Sequence, residues 1–494
     1  MITKTAFLQG LKCDRQFYWI STHSSPSRKK EDSHSFRQPG LKNAIFRIAK
    51  ELYPDGVEVA HDSKLSDSIS ETLDLISKRK TIYNASIGHG EYYCRIDILC
   101  PKSDESWDLI EVRTHSNPKS ENWMDLGFQK FVLEKLGIKI NELFILYINS
   151  TYVFDNSIRP DQFFKIKNAT LQVENRYSQI LENITYFNSL LEKGLPEKNS
   201  RSCKSPKDCK FQEICWEDLG DGNVFQLREG GELSRSLYSK GIYHLKDISD
   251  DEETSRIQKI QIECDRTGKP HLDANQLQVF IQKLSFPIYY LDFETINPVI
   301  PIYQKSKPFQ HIPFLYSLHI EEESGEIKHF YDMEREGEDP RFTLMKSLTE
   351  RLGSVGSIVC FNDMFEKKCI RESSEHFSEF LDWSGTLWDR FLDLSIPFKE
   401  LHYYHPNQKG LASLKAILKP LTGLDYSALS IQDGSNANNE YLNIKQNDQF
   451  TQIQMDEIRT NLIEYCKMDT FAMYRVLSEL KILLSIEPKI DYSI

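Results

Sequence analysis

The run Ile288-Tyr289-Tyr290-Leu291-Asp292-Phe293-Glu294-Thr295 constrains this chain more than any other segment. Its β-branched and aromatic residues predict a buried strand. Strand side chains alternate faces. Ile288, Tyr290, Asp292 and Glu294 therefore share one face, and Tyr289, Leu291 and Phe293 share the other. Two carboxylates side by side at the end of an apolar strand repel and raise each other's pKa. A divalent cation would remove that cost; alone, the pattern also fits a solvated strand end. The last helix of the chain, predicted over about 455–485, sharpens the choice. Ile458, Leu462, Tyr465, Asp469, Met473, Val476 and Leu480 recur three and four residues apart and form one stripe. Asp469 is its sole charged member. A carboxylate inside an apolar stripe is costly unless it is paired or metal-bound. The competing reading is an Asp at the stripe's edge reaching a surface Lys. Tyr465, one turn earlier, shares the same side of the helix. A third segment, Ser357-Ile358-Val359-Cys360-Phe361, predicts a strand that runs into Asn362-Asp363-Met364-Phe365-Glu366, where a helix begins. Carboxylates at such a strand end sit where open α/β sheets bind ligands.

A chain of 494 residues is long enough for two or three domains of about 150 residues each. Strands alternating with helices recur in two regions, so we expect two α/β domains. In the first, strands at Tyr92–Leu99 and Trp107–Val112 flank the turn-rich 101–106 segment. Helices are expected at 41–53, about 122–137 and 169–194, with a strand at Leu143–Ile148. Residues 21–40 read as a surface loop. In the second, strands are expected at 288–294, 314–320 and 357–361. The boundaries are 1–220, 221–285 for a helical connector, and 286–494. In the connector, Leu237 to Ile248 is similar to a helix-hairpin-helix turn. A net charge of −12 argues against a sequence-blind cationic binder, yet an enzyme can meet phosphates through metal ions and local basic patches. No apolar run spans a membrane, and the start lacks a signal pattern, so we expect a cytoplasmic protein without membrane contact. Ten cysteines in such a chain suggest metal ligands or buried thiols rather than disulfides.

The three acidic segments together resemble the DEDD superfamily of 3′–5′ exonucleases, whose fold is ribonuclease-H-like. Asp292 and Glu294 match the first motif, Asp-x-Glu. Asn362 to Glu366 resemble the second, Asn-x-x-Phe-Asp, with Glu366 in place of Asp. Tyr465-x-x-x-Asp469 matches the third in its tyrosine form. The resemblance covers roughly 200 residues. It implies that Asp292, Glu294, Glu366 and Asp469 bind two Mg²⁺ or Mn²⁺ ions and that Tyr465 orients the attacking water. Such ions activate water and stabilise the leaving oxygen in an in-line displacement. Asp363 and Asp389 are further carboxylates in the region. Residues 288–425, including Pro313 to Leu318 and Ser413-Leu414-Lys415, look like an uncharacterised bacterial domain family whose members often carry a RecB-like nuclease region at the N-terminus.

That region has its own signature. Asp97 and Glu111-Val112-Arg113 resemble the PD-(D/E)XK nuclease core. In that core the acids hold Mg²⁺ and a Lys follows the Glu by two residues. Here Arg113 stands in the Lys position; Arg stays charged and cannot act as a base. Gln129 resembles the glutamine of the RecB-type subfamily. Alternation would place Arg95, Asp97 and Leu99 on one face of the first hairpin strand. It would place Leu109, Glu111 and Arg113 on one face of the second. Without the resemblance, a half-exposed hairpin with surface charges fits equally well. Cys203, Cys209 and Cys215 follow within thirteen residues, and Cys13 lies far upstream. One early Cys and a late trio around such a core look like the iron–sulfur nucleases of the AddB type and the RecB-like CRISPR-associated exonucleases. There the four thiolates hold a [4Fe–4S] cluster. Cys₄ also suits zinc, the less favoured occupant.

The expectation is a metal-dependent nuclease with two sites, acting on single-stranded or frayed nucleic acid. The alternative is a nucleic-acid-binding scaffold with one or both sites inactive.

Overall fold

β-Branched and aromatic segments bounded by turn residues form strands, and the computed structural model gathers them into two main sheets and a two-stranded ribbon. It describes residues 1–23, 40–60, 64–197, 209, 211–216, 219–334, 338–446 and 450–486. The protein is mixed α/β, with two compact units. One comprises Met1–Cys215 and Pro298–Phe309, and the other comprises Trp216–Asn297 and Gln310–Ile494. The segment 221–285 thus groups with the second unit, whereas Pro298–Phe309 groups with the first.

In the first unit, β1 (Ile2–Thr3) pairs in parallel with β4 (Tyr92–Pro101). The main path runs β2 (Val57–Glu58), β3 (Ile82–His89), β4, β5 (Trp107–Val112), β6 (Ile140–Ile148) and β7 (Phe164–Asn168). Strands β3, β4 and β5 form an antiparallel meander. The parallel pairing of β5 with β6 requires a crossover, which the helix Ser120–Lys135 supplies. That helix passes close to the helix Tyr177–Lys193 through Gly127, where a Cβ would lie 2.2 Å from the Ile180 side chain. The helix expected over 169–194 is two helices, Thr170–Glu174 and Tyr177–Lys193. Arg176, between them, leaves helical geometry (φ −117°, ψ 1°).

Alternation along β4 fails where it matters. Cys94, Ile96 and Leu99 enter one core cluster, while Ile98 enters the other with Tyr83 and Ile110. Arg95, Asp97 and Leu99 therefore do not share a face as the two-residue period predicts. Asn84, on the neighbouring strand, has φ +55°, and the ladder skips the Asn84–Asp97 position. This local irregularity turns the strand over at Asp97.

In the second unit, β8 (His271–Leu272) pairs with β14 (Tyr403–Tyr404). The main sheet contains β9 (Ile288–Ile296), β10 (Ile312–Glu321), β11 (Ile327–Met333), β12 (Ser357–Cys360) and β13 (Phe391–Asp393), in the order β11-β10-β9-β12-β13. The first two pairings are antiparallel and the last two parallel. Strand β9 is central. Its Tyr289, Leu291 and Phe293 enter a core with Leu344 and Ile370 from the helices Pro340–Arg351 and Met364–His376. Its opposite face packs on the final helix, Gln452–Ile486. The Leu237 to Ile248 segment ends one helix at Ser239, turns at Gly241 (φ +81°) and forms a 3₁₀ turn at Leu245–Asp247. Among the described residues no helix is long and apolar enough to cross a membrane.

Candidate metal centre and a second acidic cluster

Three separate elements of the second unit carry four carboxylates into one region: Asp292 acts electrostatically on Glu294 and Glu366 and feels Asp469, while the ligand atoms within 4.8 Å of one another among the described residues are those of Asp292, Glu294 and Cys466. Strand β9 carries Asp292 and Glu294 on the face away from Leu291 and Phe293, as alternation requires. Asn362, at φ +78°, turns β12 into the helix Met364–His376, whose first turn holds Glu366. Asn tolerates this left-handed geometry better than most residues. Asp393 fixes the corner by accepting the Asn362 N–H at 2.8 Å. The final helix contributes Tyr465, Cys466 and Asp469. Apart from Asp469, the predicted stripe is apolar: Leu462, Tyr465, Met473, Val476 and Leu480 are all buried.

The burial is graded. Glu294 and Glu366 are 6% and 3% exposed, while Asp292 and Asp469 are half-buried. Burial and mutual repulsion hold the Asp292, Glu294 and Glu366 carboxyls well above the usual range. Burial pushes Asp469 up to about 6, against the opposing help of hydroxyls from Tyr426 and Tyr465 and of the Lys415 charge. Tyr426 donates to Asp469 Oδ1 at 2.5 Å. Cys466 Sγ lies 3.4 Å from Asp292 Oδ2. One Glu366 oxygen, Oε2, is buried without a hydrogen-bond partner. Lys415 is the cation whose charge acts on Asp292, Glu294 and Asp469. Among the described residues Lys415 is the cation set against three of these carboxylates and Glu366 has none, an imbalance that divalent cations would relieve.

Asp363, the other acid of the second motif, is occupied by Lys367 at 2.6 Å. Asp363 and Asp393, rather than Asp389, are the further acids whose charges raise Glu366. Cys466 shows no clustering in the sequence, yet its thiol gathers with Asp292 and Glu294, with ligand atoms within 4.8 Å of one another. Lys415 and Tyr426 also escape sequence reasoning about roles. Their distance from the motifs along the chain hides them.

The first unit holds a different acidic cluster. Asp97 Oδ2 accepts the Val112 N–H at 2.8 Å. Glu111, fully buried, accepts from Gln129 Nε2 at 2.9 Å, Arg113 at 2.9 Å and Lys4 at 2.8 Å. Asp125 joins them: it pairs with Arg113, accepts from Gln129 at 2.8 Å and lies 3.8 Å from Lys4. The structure thus brings together all four residues predicted here and adds two. Asp125 was legible, since it precedes Gln129 by one helical turn. Lys4 was not, being 107 positions from Glu111. The charges divide the acids. Lys4 and Arg113 overcome the burial penalty and hold Glu111 down at about 2. Burial and the Glu111 charge push Asp97 up to about 6. Beside Asp97 lies a cleft of about 720 Å³ whose walls include Lys42, Arg47, Lys50 and Arg95. Lys4→Met should leave Glu111 and Asp125 undercompensated in the interior. We expect about 3 kcal/mol of lost stability, read by denaturant unfolding; a loss below about 1 kcal/mol would contradict this account.

Cys209 lies near enough to Cys13 in the first unit to act on it electrostatically, although among the described residues Cys13, Cys209 and Cys215 do not form a group with ligand atoms within 4.8 Å of one another. Gln16 Nε2 donates to Cys209 Sγ at 3.7 Å, Trp19 packs on Phe211 with ring centroids 4.5 Å apart, and the Cys209 charge adds to burial in raising the Cys13 thiol. Cys215 closes the short helix Gln212–Cys215. Cys203 lies outside the described residues.

One comparison with known proteins falls largely in the second unit. Residues 289–413 match DUF2779, a domain of unknown function. The matched stretch holds Asp292, Glu294 and Glu366 and stops before Lys415, Tyr465 and Asp469. An uncharacterized protein of Mycoplasma genitalium, MG366, is 26% identical over 226 residues, covering 41% of this chain. Its homolog in Mycoplasma pneumoniae is 24% identical over the same length. The alignments span 33% of each relative. Among solved structures, that of SSO0001 is similar, with a TM-score of 0.21 at 16% identity, covering 44% of this chain and 87% of the other.

Proposed function

We propose that this chain is a metal-dependent nuclease whose hydrolytic site is the carboxylate cluster of the second unit, built on a ribonuclease-H-like DEDD domain. The observation that carries the reading is the electrostatic coupling of Asp292 to Glu294, Glu366 and Asp469, all raised in pKa, with Lys415 acting on Asp292, Glu294 and Asp469. These four would hold Mg²⁺ or Mn²⁺. The ions would supply charge to lower the pKa of water and to stabilise the leaving 3′-oxygen. The Tyr465 hydroxyl, held by Lys415 at 3.1 Å and close enough to Asp469 to act on it electrostatically, stays protonated and would orient the attacking water. The substrate would be single-stranded or frayed nucleic acid, in the cytoplasm.

For the first unit, read as a PD-(D/E)XK fold, the charge balance favours the second reading: a nucleic-acid-binding site with little or no turnover. Lys4 and Arg113 already answer Glu111 and Asp125. An ion between Asp97 and Glu111 must compete with them. Arg113 can stabilise phosphate charge but cannot take a proton. The basic cleft beside Asp97 suits a sugar-phosphate backbone. Purified protein, Mn²⁺ and end-labelled DNA and RNA oligonucleotides test both assignments. Hydrolysis lost in Asp292→Ala and kept in Asp97→Ala is expected; the reverse would move catalysis to the first unit.

Cys13, Cys203, Cys209 and Cys215 would hold a [4Fe–4S] cluster, supported by the approach of Cys13 to Cys209. A brown protein that loses its visible absorbance in Cys209→Ser is expected; colourless protein containing stoichiometric zinc would overturn the assignment.

A further inference from the structure

The reading above uses the Ser413-Leu414-Lys415 segment only as a charge beside the carboxylates and a support for Tyr465, yet its fold is specific. Ser413 accepts the Ala416 N–H and so caps the helix Leu414–Thr422. Leu414 is buried in the unit. These two residues anchor the first turn and present Lys415. Its Nζ donates to the Tyr465 hydroxyl at 3.1 Å and to the Gln432 carbonyl. The rings of Tyr426 and Tyr465 lie 5.1 and 5.0 Å from Nζ and shape the space around it. Among the described residues Lys415 makes no ion pair within 4.0 Å, although it is the cation whose charge acts on Asp292, Glu294 and Asp469. An ammonium has three donors. Two are used here, and the side chain is half-exposed.

A monovalent cation beside a divalent-cation site works against metal binding, because like charges repel. Its presence makes chemical sense if an anion arrives with the metals. We propose that Lys415 is an anion-binding and positioning residue of this site. Its free donor would receive a nonbridging oxygen of the substrate's terminal phosphodiester and of the nucleoside monophosphate released, while its bond to Tyr465 holds that hydroxyl over Asp469. The inference rests on the metal reading of the four carboxylates and adds to it the recognition of the phosphate.

Calorimetric titration of the full-length protein tests this with Mn²⁺ alone and then with adenosine 5′-monophosphate at saturating Mn²⁺. Lys415→Met should bind Mn²⁺ at least as tightly as the parent, because a repelling charge is removed. It should bind the nucleotide about tenfold more weakly. Lys415→Arg, which keeps the charge, should restore nucleotide binding to within about threefold. Weaker Mn²⁺ binding in Lys415→Met would make the lysine a mere support for the carboxylates and overturn the proposal. So would unchanged nucleotide affinity, with the metal reading left standing. A parent protein that binds no Mn²⁺ would overturn the metal reading and this proposal together.

Discussion

Asp292→Asn should abolish metal-dependent hydrolysis while making the metal-free protein more stable. The two effects have one cause. Asp292 sits between Glu294, Glu366 and Asp469 at the centre of the unbalanced charge. Removing its charge relieves repulsion in the absence of ions, and Asn retains an oxygen that can accept from the Cys466 thiol. We expect a melting temperature about 2–6 °C higher in chelator, which corresponds to roughly 1–2 kcal/mol. The same substitution removes a proposed metal ligand. A rate loss of about a thousandfold, or roughly 4 kcal/mol in the barrier, is the scale for losing such electrostatic stabilisation. Thermal melts in EDTA and initial rates in Mn²⁺ measure the pair. Lower activity with lower stability would mean only that the domain had been damaged.

Chelated protein should lose stability as pH rises from about 4 to about 6, the opposite of an ordinary acid unfolding profile. The sign follows from which state binds more protons. Asp469 and Asp97 are each raised to about 6, and Asp292, Glu294 and Glu366 are raised as well. Through that window the folded protein keeps protons that the unfolded chain has released. Each raised acid then costs stability until pH passes its folded value. For Asp469 the shift from 3.8 corresponds to about 3 kcal/mol. Glu111 works in the other direction. Its pKa is lowered to about 2, so its contribution is present above about 4.5 and fades only as pH falls toward 2. Saturating Mn²⁺ should flatten the decline, adding about 2.7 kcal/mol at a hundred times its dissociation constant. Melts across this pH range, with EDTA or with Mn²⁺, are the measurement. A chelated protein whose stability climbs with pH would refute the charge imbalance.

Both sites show where local pattern suffices and where it does not. The alternation in β9 and the stripe in the final helix were readable because strand and helix periods are set by the backbone itself. They placed Asp292, Glu294 and Asp469 on inward faces. The Asn362 to Glu366 motif announced a strand-to-helix corner, and the structure puts Glu366 near Asp292 from it. In the first unit, Asp125 and Gln129 lie one turn apart and were legible as neighbours. The same alternation rule misread β4. The left-handed Asn84 that turns that strand over at Asp97 lies on the adjacent strand, outside any window on β4.

Identity, spacing and face are properties of short segments, and the chain alone determined them: an apolar strand with two acids, a stripe with one acid, and an early cysteine with a late trio. Charge balance is a property of the assembled interior. Folding brought Lys4 and Arg113 to Glu111 and left four carboxylates with Lys415 in the second unit. Coulomb energy depends on distance in space and on burial, neither of which sequence separation encodes. That is why the two acidic motifs looked alike in the sequence, and why only tertiary structure distinguished a cluster paired with Lys4 and Arg113 from one whose acids are raised by one another.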